Sequence, residues 1–178
     1  MESPIVPINE IQRLAALKRS RLLDTSSEEV FDDFTKLASQ ICETPIALIT
    51  LLDDTRQWFK SNIGLNVSET PRKDSFCTHA ILESKLFEIP DALNDERFRK
   101  NPLVASEPQI RFYAGMPLIT KDGYAFGTLC VIDTTPRHLT FEQRSALQML
   151  GRQVVVLIEY RLNLIETTLI NHDLTNIG

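Results

Sequence analysis

The sequence predicts an α/β fold of the α+β type, with helices gathered at the two ends of the chain and strands between them. Three observations carry the prediction. Helix-start signals stand at Asn9, Ser26 and Thr140, each with Gln or Glu three residues on, the spacing at which side chain and backbone N–H cap one another. Between the second and third of these lie apolar or alternating runs of strand length, at Ile46–Leu52, 57–63, Phe87–Ile89, 110–119 and 125–132. Two junctions, Asp53-Asp54-Thr55 and Lys121-Asp122-Gly123, are short polar turns that make their flanking strands antiparallel hairpins.

The elements follow in order. After Asn9, the residues Ile11, Leu14 and Leu17 form an apolar stripe at helical spacing. The segment 22–27 breaks the pattern. A second helix then presents Val30, Phe31, Phe34, Leu37, Ala38 and Ile41 until Pro45 ends it. Ile46–Leu52 is apolar throughout and reads as a central strand covered on both faces. In 57–63, Trp58 and Phe59 point to opposite faces, and Gly64 closes the strand. Residues 65–74 are polar, contain Pro71 and read as a loop; Asp74 or Ser75 is placed to cap a short helix through Leu82. Phe87–Ile89 is a brief strand, with Pro90 suited to a sheet edge. The connection 91–108 is long, holds one or two helical turns around 96–101, and has the character of a functional loop.

Alternation in 110–119 puts Ile110, Phe112, Ala114, Met116 and Leu118 on one face and Arg111 and Tyr113 on the other. The returning strand, 125–132, is apolar on both faces and hence central. From Phe141 onward no proline intervenes, and Leu150, Val154, Ile158, Leu162, Ile165 and Leu169 recur every three or four residues. A helix from Phe141 to Asn171 would reach about 45 Å, more than a domain of this size covers. The part beyond Tyr160 is expected to project and to pair with a second copy as a parallel two-helix coil. The alternative is a helix folded back onto its own domain.

The 178 residues suffice for one domain with a full core and an extension at one end. A content of 43% hydrophobic and 24% charged residues marks a globular chain, not a disordered one. The net charge of −5 argues against a nucleic-acid surface. No apolar run approaches a membrane span. The opening MESPIVPINE has an acid and two prolines where a signal peptide needs positive charge and an apolar stretch, so a cytoplasmic location is expected. Three cysteines, an odd number with no CxxC pair, read as reduced thiols.

The strings ALITLLDDTRQWFKSNIGL, ETPRKDSFCTHAI, PDALNDERFRKNPLV, IRFYAGMPL and GTLCVID together resemble the GAF domain, in the form found at the N-terminus of bacterial sensor histidine kinases and diguanylate cyclases. The resemblance covers residues 8–165. It implies a central antiparallel sheet of five to six strands, terminal helices packed on one face and often dimerising, and loops of residues 64–108 roofing a pocket on the other. Residues 166–178 would end the projecting signalling helix or form its linker. The resemblance also implies a small-molecule effector of the cyclic-nucleotide, tetrapyrrole or amino-acid-like kind, its identity open. A homodimer is implied as well, with a kinase or cyclase output driven through the exit helix, in a longer protein or for a stand-alone sensor of a two-component type.

The pocket candidates are Trp58, Cys77, His79, Asp91, Phe98, Arg111 and Tyr113. An Arg beside a pocket holds a carboxylate or phosphate through paired hydrogen bonds, and a half-exposed Trp makes a ligand platform. Asp91, with Asp95 and Arg97, serves either a ligand or local caps and a surface ion pair. Cys77, near His79, is a redox-active thiol or a small buried apolar side chain. No catalytic set and no metal set is complete: His79, His138 and His172 lie far apart in the sequence. Covalent bilin attachment in related domains uses a Cys just before the strand that begins here at Ile110, and 104–108 contains none. The free methionine sulfoxide reductases that share this fold carry their cysteines in Gly-rich and Cys-Asp strings that are missing here. His172-Asp173-Leu174 faintly resembles a phospho-acceptor region. The sequence thus predicts a ligand-binding regulatory domain that is not an enzyme and whose cofactor is unknown. The alternatives are a dimerisation or protein-interaction module filled by its own side chains, or a thiol-based enzyme of the sulfoxide reductase kind.

Overall fold

The computed structural model describes residues 6–175, with side chains through residue 170; the side chains of His172, Asp173 and Leu174 therefore lie outside the described residues. Helices α1 (Glu10–Arg19) and α2 (Glu29–Cys42) lead into strands β1 (Ile46–Leu52), β2 (Arg56–Ile63) and β3 (Glu69–Pro71). A 3-10 turn (Arg72–Asp74), α3 (Cys77–Ala80), β4 (Phe87–Ile89) and α4 (Pro102–Ala105) follow, then β5 (Phe112–Ile119), β6 (Ala125–Asp133) and α5 (Phe141–Thr175). The six strands form one antiparallel sheet in the order β3-β2-β1-β6-β5-β4. The two apolar runs read as central strands, β1 and β6, lie side by side at its middle.

The sheet separates two cores. On one face α1, α2 and α5 deliver Leu17, Phe31, Ala38, Val154 and Ile158 onto Ile49, Leu51, Phe112, Leu129 and Val131. On the other face short helices and loops deliver Phe76, Ile81, Ala92, Phe98 and Val104 onto Ile46, Leu48, Tyr113, Cys130 and Ile132. The alternation of β5 sorts its side chains as expected from Phe112 on, with one correction. Ile110 precedes the strand and joins the loop-side core, opposite to Phe112 and Ala114. The chain crosses over at Gln109, whose φ of +60° follows a cis Glu107–Pro108 peptide.

Other local expectations are corrected too. Ile11 is 82% exposed; the buried face of α1 is Arg13, Ala16 and Leu17. Arg13 is wholly buried because Glu10 neutralises it and the carbonyls of Leu52 and Ala125 accept two further protons, at 2.8 and 3.2 Å. Asn9 and Ser26 make no side-chain cap, whereas Thr140 and Gln143 do form the reciprocal pair. Residues 69–71 are not loop but an edge strand paired with Arg56, Gln57 and Trp58. The helix in the long connection sits at Pro102–Ala105, with Asn101 capping Leu103 N–H at 2.9 Å, one turn later than expected. Beyond Tyr160, α5 does not immediately leave the domain. Leu162 and Ile165 are half-buried, facing Ala16 and Arg19 of α1 and Tyr124 beside the β5–β6 turn. Among the described residues no helix is long and apolar enough to cross a membrane.

Candidate functional site

A cavity of about 300 Å³ opens between the loop-side face of the sheet and its roof. Its floor is Leu48, Phe59, Tyr113 and Ile132. The roof comes from three segments, each held by its own polar ties. After β2, Gly64 turns with φ +86°. The Asn62 amide then donates to the carbonyls of Leu65 and Val67, at 2.9 and 2.8 Å, and accepts from Leu65 N–H. That bracket brings Leu65 and Val67 to the cavity. At the second segment Ser75 Oγ accepts from Cys77 N–H and donates to Gln57 Oε1, fixing Phe76 and Cys77 over the floor. At the third, Arg111 Nη1 donates to the carbonyls of Val104 and Ile110, each at 3.0 Å, and Asn101 donates to Asp74 O at 2.9 Å. These bonds set Leu103, Pro108 and Ile110 in the wall. Asn66, Val67 and Glu107 are exposed, so the mouth lies between the first and third segments.

The polar groups at the deep end are mutually engaged. Tyr113 Oη donates to Cys77 Sγ at 3.2 Å; Cys77 Sγ lies 3.1 Å from Thr128 Oγ1, which lies 3.1 Å from Thr50 Oγ1. The Tyr113 ring lies along its strand because residue 115 is glycine: a Cβ there would fall 2.2 Å from Oη. Burial, and after it the neighbouring Cys77, pushes the Tyr113 phenol up, so it stays protonated. Burial also pushes thiols up, but Cys77 has donors around it in Cys130, Thr128, Thr50 and Tyr113. It is the more acidic member of the Cys77–Cys130 pair, whose other thiol rises well above the ordinary range. Gln57 is satisfied at both ends, accepting from Ser75 and donating to Thr70 Oγ1 at 3.1 Å.

Of the seven residues singled out in the sequence, the structure brings Cys77 and Tyr113 to the cavity wall. Phe98 stands behind it, stacked on Phe76 at 4.3 Å; Phe76 in turn stacks on Tyr113 at 5.3 Å. His79 meets Phe98 edge-on at 4.7 Å, turned away from the cavity, and burial and Arg97 lower its pKa. Arg97 lies over Phe87 and Phe98 and pairs with Asp95. Asp91 caps Leu93 N–H and holds Asn94. Arg111 turns its Nη1 to the backbone of the roof. Trp58 faces the helix layer, while its neighbour Phe59 faces the cavity. Sequence reasoning missed Gln57, Phe76, Leu65, Thr50 and Thr128. The last two had a signal: each is a lone hydroxyl inside an apolar central strand, and they pair directly across β1 and β6.

Among the described residues no three His, Cys, Asp or Glu side chains converge as metal ligands. A second, shallower groove of about 600 Å³ runs between α2 and β2, but its Lys60 is already bound by Thr25, Ser26 O and Glu28.

The sequence profile of the GAF domain family matches residues 26–158, three quarters of the chain and all six strands of the sheet. This chain belongs to the GAF domain family. Over 137 residues it is 50% identical to a cyclic di-GMP phosphodiesterase of Pseudomonas aeruginosa, a match spanning 77% of this chain and 23% of that protein. The GAF domain of an Acinetobacter phosphoenolpyruvate-protein phosphotransferase superposes with a TM-score of 0.63 at 18% identity, covering 87% of this chain and 95% of the other. The blue-light absorbing form of the PixJ GAF domain of Thermosynechococcus elongatus gives 0.60 at 13% identity, covering 93% and 96%. Both structural likenesses speak for the fold alone. The expectation of a protein that is not an enzyme is corrected by the Pseudomonas relative, whose name is that of an enzyme; this GAF domain corresponds to less than a quarter of its length.

Proposed function

We propose that this chain is the sensory domain of a cytoplasmic signalling protein, and that it reports the occupancy of its cavity through the terminal helices. The observation that carries this reading is the roofed cavity of about 300 Å³, set on the face of the sheet opposite to α1, α2 and α5. A connection between the two sides supports it. The Arg72 guanidinium donates to Glu10 of α1 at 2.6 Å and to Asp53 O at 2.8 Å, while its carbonyl accepts from Ser75 N–H and Thr78 Oγ1 at the roof. A ligand with unequal affinity for two roof arrangements would shift their populations and thereby move α1 against α5.

The likeness to a phosphodiesterase supports cyclic di-GMP hydrolysis, in place of a kinase or cyclase, as the output of the longer protein. Val30, Leu37 and Ile41 on α2, and Met149, Val156 and Tyr160 on α5, leave two apolar stripes in water. They support a homodimer through the helix layer. Native mass spectrometry of protein purified from cells tests both parts. The expected spectrum is a dimer carrying a retained small molecule that is lost in Leu65→Trp, which fills the cavity from its roof. A monomer without retained mass, whose α5 amide exchange is unmoved by any added metabolite extract, would overturn the reading.

A further inference from the structure

Resting on that sensory reading, we infer that the ligand is a compact, uncharged, largely apolar molecule, such as a small aromatic with a single hydrogen-bond donor, and not an anion. Size and charge both point this way. At roughly 30 Å³ per water, the cavity corresponds to about ten waters, the low end for small-molecule sites. Most of its surface is apolar, and Leu48, Phe59, Phe76, Leu103, Ile110 and Ile132 are among the residues that line it. Among the described residues no Lys, Arg or His lines it. The arginine nearest in sequence, Arg111, is bound to two roof carbonyls, and Arg97 is paired with Asp95 behind the aromatic stack.

A phosphate or carboxylate entering here would leave water without finding a counter-charge, which is the costly case for a buried ion. It would also pass Glu107 at the mouth, on a chain of net charge −5. A cation would gain Glu107, out in water, and find the Cys77 sulfur already held by Tyr113 and Thr128. The deep Tyr113–Cys77–Thr128–Thr50 chain is internally satisfied and asks for nothing. The second lone pair of Gln57 Oε1, beyond the one used by Ser75, is an acceptor inside the cavity able to orient one N–H or O–H of a guest.

Indole-3-acetamide and indole-3-acetate, nearly equal in shape and different in charge, are the probes. Titration followed by calorimetry and by amide shifts should show the amide binding at least tenfold more tightly than the acid, with shifts confined to the floor and roof residues. Leu65→Trp should weaken the amide at least tenfold at unchanged Tm. Val67→Lys, which places a cation at the exposed mouth, should bring the ratio of amide to acid affinity down several-fold. Equal or tighter binding of the acid overturns the inference while leaving the cavity a ligand site. If neither binds, the inference falls, and xenon decides the reading beneath it. Shifts of the Leu48, Ile110 and Ile132 methyls under xenon keep the cavity as a site, and their absence removes the sensory reading as well.

Discussion

On one side of the sheet, helices of 10, 14 and 35 residues press Leu17, Phe31, Val154 and Ile158 onto the strands. On the other, no helix among the described residues exceeds 4 residues, and Phe76, Phe98 and Tyr113 are held by stacking and by side chains that grip loop backbone. The same strands serve both sides, so the difference lies in what covers them. A helix supplies its own backbone hydrogen bonds and needs only an apolar face. A loop must find a partner for each backbone group. The roof finds them in Asn62, Ser75, Asn101 and Arg111, which makes it a lattice of separable ties able to open piecemeal.

Matched truncations sharpen this contrast most. Leu129→Ala, in the helix-side core, should cost about 4 kcal/mol, whereas Leu48→Ala, whose side chain already borders a cavity, should cost about 2 kcal/mol. Urea unfolding measures both, and equal losses would break the contrast. Next in size is Glu10→Gln, which strands the buried Arg13 and Arg72 and should cost about 3 kcal/mol. Although burial acts to raise it, the two guanidiniums hold the Glu10 carboxyl below its usual value of 4.5. Its contribution is therefore complete above pH 4.5 and is lost as pH falls through the lower, folded value. The variant should unfold with a shallower acid limb than the parent.

Arg111→Ala should cost about 1–2 kcal/mol and act locally, speeding amide exchange across 102–110 while β1 and β6 keep their protection. The smallest effect belongs to His79. Burial, and after it Arg97, lowers its pKa below 6.5, so the neutral ring is the one that fits. Stability from this source is full above pH 6.5 and declines as pH drops through the folded value. Roof exchange should accelerate on mild acidification, by a few-fold at most, and His79→Gln should abolish that dependence.

This contrast also governed what could be read in advance. β1, β6 and α5 were legible because unbroken apolar runs and a three-or-four repeat leave one solution each. β3 was not, since Glu69-Thr70-Pro71 is three polar or breaking residues whose pairing is dictated by Arg56 and Gln57 opposite. The start of α4 was written in Asn101-Pro102, a cap followed by a proline at the first turn, but the charged stretch before it drew the helix a turn too early. Tyr113 and Cys77 were legible as cavity-wall residues because a strand and a short helix fix their direction. Leu65, Asn66 and Val67 were not, because only the Asn62 bracket decides which way that loop faces. Trp58 misled for a different reason: strand alternation separates it from Phe59 without saying which of the two faces holds the cavity.

Both edge strands of the sheet, β3 and β4, belong to the 64–111 insert that also forms the roof. When that insert lets go, the eight-residue ladders of β2 and β5 stand bare to any passing chain. Clumping in storage should accordingly follow the insert's detachment and set in well before the helices melt.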